Sequence, residues 1–398
     1  MKKRLAVVAA VLALTACGTP APVVVSASTV RVGFLHSFTG SNAVSEAGLI
    51  NAEKMAIEEI NAAGGVRVDG QEKKIDSIVN DSGSNPERFV KKARDLLKWN
   101  HVPVVFGGWT SANRKAVLPM FAEHDALLVY PAPHEGLEDS PNVLYTGATA
   151  NQQVVPALDY LKSRGAKRIY LIGSDDVFPR TAGKQIKSYA AANGLTIVGE
   201  RYRELGSTDF ATIGQMITAT RADAVVNTLV GDSNGAFFAA LDRAGVSARL
   251  PVLSLSVTEE EVRTIGPDHL AGSLVARTYL QTTGGATNEK FVQAYKAKYG
   301  DDKVTSDAME AAYVGVHLWA KAVSKAGSTA PEDVDAALDG LTFDAPEGRV
   351  RVDGATNHLS KTARIGVISA DGLIDEIRNS GRPIAPDPFL KSYDWWKA

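Results

Sequence analysis

An α/β fold of two lobes is predicted by three features of the chain: strand and helix patterns that alternate, an interruption after which the alternation starts again, and a length of 398 residues, enough for two domains. Arg31 to Leu35 is a short apolar strand, and Glu46 to Asn61 carries helical spacing that Gly64 and Gly65 end. Ile75–Val79 is a second strand. Asn85 and Pro86, a cap followed by a first-turn proline, open a helix to about residue 98. Val102–Phe106 and Ala126–Tyr130 are further strands flanking a helix over Asn113–Glu123. Such alternation implies a parallel sheet covered by helices on both faces.

After Val143–Thr146 the pattern restarts. A helix over Asn151–Arg164 precedes a strong strand at Arg168–Ile172. Helices near 180–193, 208–220 and 235–244 then alternate with strands at 195–198, 224–229 and 251–255. Val275–Leu280 reads as a strand crossing between lobes, followed by helices at 288–299, 306–325 and 331–341. From Gly348 to Ile377 the chain changes to strands with turns at Asp353-Gly354 and Asp371-Gly372.

The amino terminus reads as a leader. Lys2, Lys3 and Arg4 precede an apolar run, Leu5–Leu14, too short to span a hydrocarbon core of ~30 Å as a helix. Leu14-Thr-Ala-Cys17-Gly18 has the form of a bacterial lipobox, in which small residues admit the peptidase and Cys17 takes the lipid. Cys17 is the single cysteine of the chain, so lipidation would leave no thiol for a disulfide or thiolate metal site. The expected organisation is a signal peptide over 1–17 and a Pro- and Ser-containing tether over 18–28. Lobe 1 takes 29–148 plus about 281–330, lobe 2 takes 149–280 plus about 331–385, and a tail covers 386–398.

With 43 basic and 45 acidic residues the net charge is −2, and nothing in that balance argues for nucleic acid or an anionic membrane face. The seven histidines show no HExxH spacing, and no P-loop occurs. Gly231-Asp-Ser-Asn234 has the start of a hydrolase motif, but no Asp-x-x-His follows it. A strand-to-helix turn is the better reading. No catalytic residue, metal or cofactor is expected.

Several stretches carry a resemblance to a known family: Val32–Gly40, Met55–Gly65, Phe106–Ser111, Arg114–Pro119, Tyr130–Gly136, Tyr145–Ala148, Asn151–Gln153, Ile172–Arg180, Val230–Asn234, Thr305–Tyr313 and Phe343–Gly348. In that order they resemble the urea- and short-chain-amide-binding branch of type I periplasmic binding proteins, the solute-binding components of ABC importers. The resemblance implies two Rossmann-like lobes around a ligand cleft and capture of urea or a short aliphatic amide outside the cell membrane. Its partners would be the permease subunits of the importer, with the membrane reached by the lipid anchor alone. Relatives with the same pocket sense amides and regulate gene expression in the cytoplasm, a role that the leader argues against. A guanidine-like cation or a branched-chain amino acid is an alternative ligand.

Carried over from the resemblance, Trp109, Ser111 and Tyr130 fall on ligand loops, Pro133 and Glu135 continue the second loop, Asp175 and Phe178 belong to a third, and Gly231, Asp232 and Ser233 to a fourth. Asp176 and His134 stand where the family has tyrosine, and Phe178 replaces another. By their chemistry, Trp109 and Tyr130 could cover the faces of a flat ligand or pack in the core. Ser111 could offer hydroxyl and N–H to a carbonyl or simply cap a helix. Asp176 and Asp232 could accept from NH₂ groups or act as caps, Asp175 could cap, and His36 reads as a loop residue.

Overall fold

The computed structural model describes residues 28–397. The leader, Cys17 and the tether up to residue 27 lie outside the described residues. The first lobe opens with β1 (Thr29–His36), α1 (Ala43–Ala62), the hairpin β2 (Val66–Val68) and β3 (Gln71–Asp81), and α2 (Pro86–Arg94). It continues through β4 (Val104–Gly107), α3 (Ser111–Glu123), β5 (Leu127–Tyr130) and β6 (Val143–Tyr145). Asn85 caps α2 by accepting from the Arg88 N–H, as its cap-then-proline sequence implies.

The second lobe contains α4 (Val154–Ser163), β7 (Arg168–Ser174), α5 (Val177–Ala192), β8 (Thr196–Arg203), α6 (Ile213–Thr220) and β9 (Ala224–Thr228). Then come α7 (Ser233–Arg243), β10 (Val252–Ser254), α8 (Glu259–Ile265), α9 (Pro267–Leu270) and β11 (Leu274–Arg277). The chain returns to the first lobe as α10 (Ala286–Tyr299) and α11 (Asp307–Ala326). It stays there through α12 (Pro331–Leu338), β12 (Thr342–Ala345), β13 (Gly348–Asp353) and β14 (His358–Ser360). Finally β15 (Arg364–Ile368) and β16 (Ile374–Asn379) complete the second sheet.

The two sheets run β12-β13-β14-β6-β5-β4-β1-β3-β2 and β16-β15-β11-β10-β9-β7-β8. Their central strands are parallel, as in Gly33 opposite Val105 and Ile172 opposite Asn227. Near-continuous apolar strands such as Val104–Phe106 and Ala224–Val226 are buried on both faces by helices, which is what parallel sheets require. The mixed α/β architecture of two lobes is therefore as the alternation predicts.

Three boundaries differ from expectation. Residues 331–360 belong to the first lobe rather than the second: α12 packs on α11, and β14 pairs with β6 at His358 opposite Tyr145. Val350, Val352 and Leu359 bury in the first core, and the His358 ring stacks on Tyr145 at 4.1 Å. The crossing strand expected at 275–280 is an inner strand of the second sheet, ending at Arg277, and the crossing begins at Thr278. The residues read as a separate tail pack onto the second lobe, with Leu390 buried and Trp395 set edge-on to Tyr189 at 5.6 Å.

Three segments join the lobes, at 146–153, 278–285 and 361–363, and buried side chains tie them together. Lys361 Nζ donates to Glu347 Oε1 at 2.6 Å and to the Thr146 carbonyl at 3.0 Å. Asp307 Oδ1 accepts from the N–H groups of Thr278 and Tyr279, each at 2.8 Å. Gln152 Nε2 donates to the carbonyls of Leu359 and Ile384. Removing one partner of a buried ion pair strands the other charge, at roughly 3–5 kcal/mol. Lys361→Met should therefore lower the calorimetric melting temperature clearly at pH 7. The deficit should shrink at pH 5, where the carboxyls of Glu347 and Glu310, both pushed up by burial, hold their protons more fully. An unchanged melting temperature at pH 7 would remove the role given to this pair.

Candidate functional site

The carboxyl ends of both parallel sheets meet at one cleft, the position at which open α/β sheets take ligands. From the first lobe, Trp109, Thr110 and Ser111 follow β4, and Ala132 and Pro133 follow β5. From the second, Asp176 and Phe178 follow β7, Val230 follows β9, Leu255 and Ser256 follow β10, and Arg277 ends β11. The cavity encloses about 410 Å³ of empty space, counted to its mouth. A hollow of about 1010 Å³ lined by Tyr160, Asp223 and Pro251 is larger, but it lies at the amino ends of strands in one lobe alone.

The lobes touch around the cleft. Gln185 Nε2 on α5 donates to the Glu135 carbonyl of the first lobe at 2.8 Å. Elsewhere the Asp232 N–H donates to the Ser41 carbonyl at 3.2 Å. Gly231 beside it has φ +63°, and a Cβ there would lie 2.4 Å from the Ser41 oxygen. The approach of the two backbones requires glycine.

Gly107 makes a similar demand at the end of β4. Its φ is +144°, and a Cβ would stand 2.1 Å from the Leu35 carbonyl. The next N–H, of Gly108, donates to that carbonyl at 3.0 Å, turning the chain toward Trp109. Thr110, not Ser111, caps α3, accepting from the Asn113 N–H at 3.1 Å. Among the described residues no acceptor meets the Ser111 N–H, which stands at the positive end of this 13-residue helix.

Arg114, wholly buried, organises this wall. Its Nε donates to Glu138 Oε1 at 2.9 Å, its Nη1 to the Ser111 hydroxyl at 3.2 Å, and its Nη2 faces Glu135 Oε1 at 3.4 Å. The guanidinium also lies 4.6 Å from the Tyr130 ring centre. The Ser111 hydroxyl donates to Glu135 Oε2 at 2.6 Å, so its proton is already committed.

Of the residues singled out from the sequence, the cleft gathers Trp109, Ser111, Pro133, Asp176 and Phe178. Tyr130 does not line it. Its ring is buried beneath Gly108, and its hydroxyl donates to the Trp109 carbonyl at 2.5 Å, so it supports the loop from behind. Glu135 is engaged by Arg114 and Ser111, and Asp175 is exposed in an ion pair with Arg180 at 2.7 Å. Gly231 and Asp232 form the contact between lobes at Ser41, while the Ser233 hydroxyl is buried without a partner. His36, expected on a loop, is buried at the end of β1 with Nε2 2.8 Å from Glu53 Oε1. Its pKa is about 9: burial lowers it, and Glu53 and Glu46 together more than offset that.

Sequence reading missed Arg277, Leu255 and Ser256. The signal available was a lone arginine closing the apolar run Leu274-Val-Ala. Burial holds the Asp176 carboxyl above its ordinary range.

A cleft closed between two parallel-sheet lobes, with three connecting segments behind it, defines a solute-binding protein of the type I periplasmic fold. The chain belongs to the family described as "Periplasmic binding protein domain", whose model matches residues 30–394. It is 24% identical over 400 residues to "Leu/Ile/Val-binding protein homolog 8" of Brucella abortus (strain 2308), covering 91% of this chain and 93% of that one. To the "Leucine-, isoleucine-, valine-, threonine-, and alanine-binding protein" of Pseudomonas aeruginosa it is 24% identical over 338 residues, 82% of this chain and 87% of that one. A match of 31% over 126 residues to "Limonene hydroxylase" of Geobacillus stearothermophilus spans only 32% of this chain and 23% of that protein.

Among solved structures, a solute-binding protein of an ABC transporter from Rhodopseudomonas palustris HaA2 in complex with p-hydroxybenzoic acid superposes with a TM-score of 0.81. Identity is 25%, covering 92% of this chain and all of that one. The BisB5 protein in complex with 3,4-dihydroxybenzoic acid gives 0.79 at 23% identity, covering 88% and 97%.

Behind the cleft, Glu259 is 1% exposed, and its carboxyl, pushed up to about 8 by burial, accepts from the Gln281 N–H at 2.8 Å. The folded chain keeps this proton above the ordinary value of 4.5, so its stability falls as pH rises from 4.5 to about 8 and levels off beyond. Glu259→Gln has no such titration. Its stability relative to the natural chain, read as melting temperature, should rise between pH 5 and pH 8, by a free energy on the order of 2 kcal/mol or more. A difference independent of pH would show Glu259 to be ionised in the fold.

Proposed function

We propose that this chain is the extracytoplasmic solute-binding component of an ABC importer and that its solute carries a urea or short-chain amide group. The observation that carries the amide reading is the pairing, in one small cleft, of a carboxylate acceptor at Asp176 with the unmatched N–H of Ser111, flanked by the side chains of Trp109 and Phe178. An amide needs acceptors for its NH₂ and a donor for its carbonyl, because each buried polar atom left unpaired costs about 1–3 kcal/mol. Its flat faces suit aromatic neighbours. Membership of the periplasmic binding family and the likeness to solute-binding proteins of ABC transporters support the importer role. A bare guanidinium ion fits less well, since Arg277 stands in the same cavity. Closure of the lobes would bury the solute, and the closed form would deliver it to the permease.

Calorimetric titration with urea, formamide, acetamide, leucine and 4-hydroxybenzoate tests the ligand class. Amides should bind with heat, and for a four-heavy-atom ligand the ceiling of ~1.5 kcal/mol per atom sets a Kd no tighter than some tens of micromolar. Binding of leucine or hydroxybenzoate with no response to any amide would overturn the amide reading.

The lipobox at Cys17 would hold the protein on the outer face of the membrane. Cys17→Ala should abolish incorporation of labelled palmitate in cells and release the protein from the membrane fraction. Label retained by the variant would sink the anchor.

A further inference from the structure

Arg277 is 3% exposed and lines the cleft, yet among the described residues no carboxylate lies within ion-pair distance of it. Its Nε and Nη2 both donate to one neutral acceptor, the Val257 carbonyl, at 3.1 and 3.0 Å. Among the described residues nothing accepts from its Nη1. The nearby buried acid, Glu259, accepts instead from the Gln281 N–H at 2.8 Å and forms no ion pair with the guanidinium, and burial pushes its carboxyl up to about 8 despite the pull of Arg277. Guanidinium stays ionised throughout the accessible pH range. A buried, unpaired cation is costly, and a fold that holds one against a cavity wall lowers that cost when an anion enters.

Asp176, on the same cavity, is in the converse position. It occupies the cap position of α5 without a side-chain cap bond, and among the described residues the Val177 N–H bonds its carboxyl but no ion pair reaches it. The two opposite charges thus stand unpaired in one small space.

We propose that Arg277 is a carboxylate subsite, and that the ligand is an amido or ureido acid whose carboxylate pairs with Arg277 while its NH₂ group bonds to Asp176. The acid half rests on Arg277 alone; the amide half rests on the function proposed above. A carboxylate can take two parallel N–H bonds from a guanidinium, a charge-assisted geometry that a neutral carbonyl cannot match. A cation at one end of the site and an acceptor at the other would also disfavour simple cations, which Arg277 repels, and simple anions, which Asp176 repels.

The test is a titration series on the purified protein at pH 7. One arm uses urea and acetamide, a second malonamate and N-carbamoylglycine, and a third acetate and propionate. The amido acids should bind at least tenfold more tightly than the amides lacking a carboxylate. In Arg277→Gln that ratio should fall to within about threefold, and Arg277→Lys should restore part of it. Amido acids binding no better than plain amides, or a ratio that persists in Arg277→Gln, would overturn the subsite. If plain carboxylates match the amido acids, the Arg277 subsite stands and the amide reading falls. If no arm binds, both fall. The comparison on the natural protein does not depend on how either variant folds.

Discussion

The buried pair Lys361–Glu347 is the constraint on which the arrangement of the two lobes depends. Where three segments leave one sheet and enter another, their peptide groups lose ladder partners and must find others away from water. Lys361 reaches the Thr146 carbonyl on the first crossing while bonded to Glu347, and Arg364 donates to the carbonyls of Thr278 on the second and Glu347 beside it. Asp307 closes the set from the start of α11. Three crossings are thereby held as one unit, and the cleft opposite inherits its geometry.

A second buried cation, Arg114, does for the cleft wall what Lys361 does for the hinge. It holds Ser111 and Glu135 by hydrogen bonds and lies over the Tyr130 ring, whose hydroxyl fixes the Trp109 carbonyl. Glu135 then links wall to closure, since its carboxylate faces Arg114 and its backbone carbonyl accepts from Gln185 of the other lobe. A wall made rigid in this way presents Trp109 and the Ser111 N–H in a preformed orientation, which lowers the ordering cost of binding a small solute.

Charge is distributed unequally among the buried groups. Lys361, Arg114 and His36 each sit against carboxylates, so their ionised forms are compensated within the fold. Among the described residues Asp176 and Arg277 are in no ion pair, and both line the cavity. Structural charges are satisfied by the protein itself, whereas these two are left for whatever enters.

The alternating apolar segments and their caps determined the α/β class, the number of lobes and most strand positions, because strand and helix periodicity depends on near neighbours in the chain. The resemblance to the amide-binding branch marked Trp109, Ser111, Pro133, Asp176 and Phe178, which follow strands at the cleft. What the sequence left open was every relation across long separations. Residues 348–360 read as strands but were assigned to the second lobe instead of the first, since an edge strand with alternating burial suits either sheet. Tyr130 and Glu135 looked like ligand contacts until Arg114, buried beside them, drew both into its own network. Arg277 gave little sign beyond a charge at the end of an apolar run. Only the tertiary structure set it on the same cavity as Trp109 with no ion-pair partner among the described residues, because whether a charge is paired depends on the neighbours that folding brings to it, not on its place in the chain.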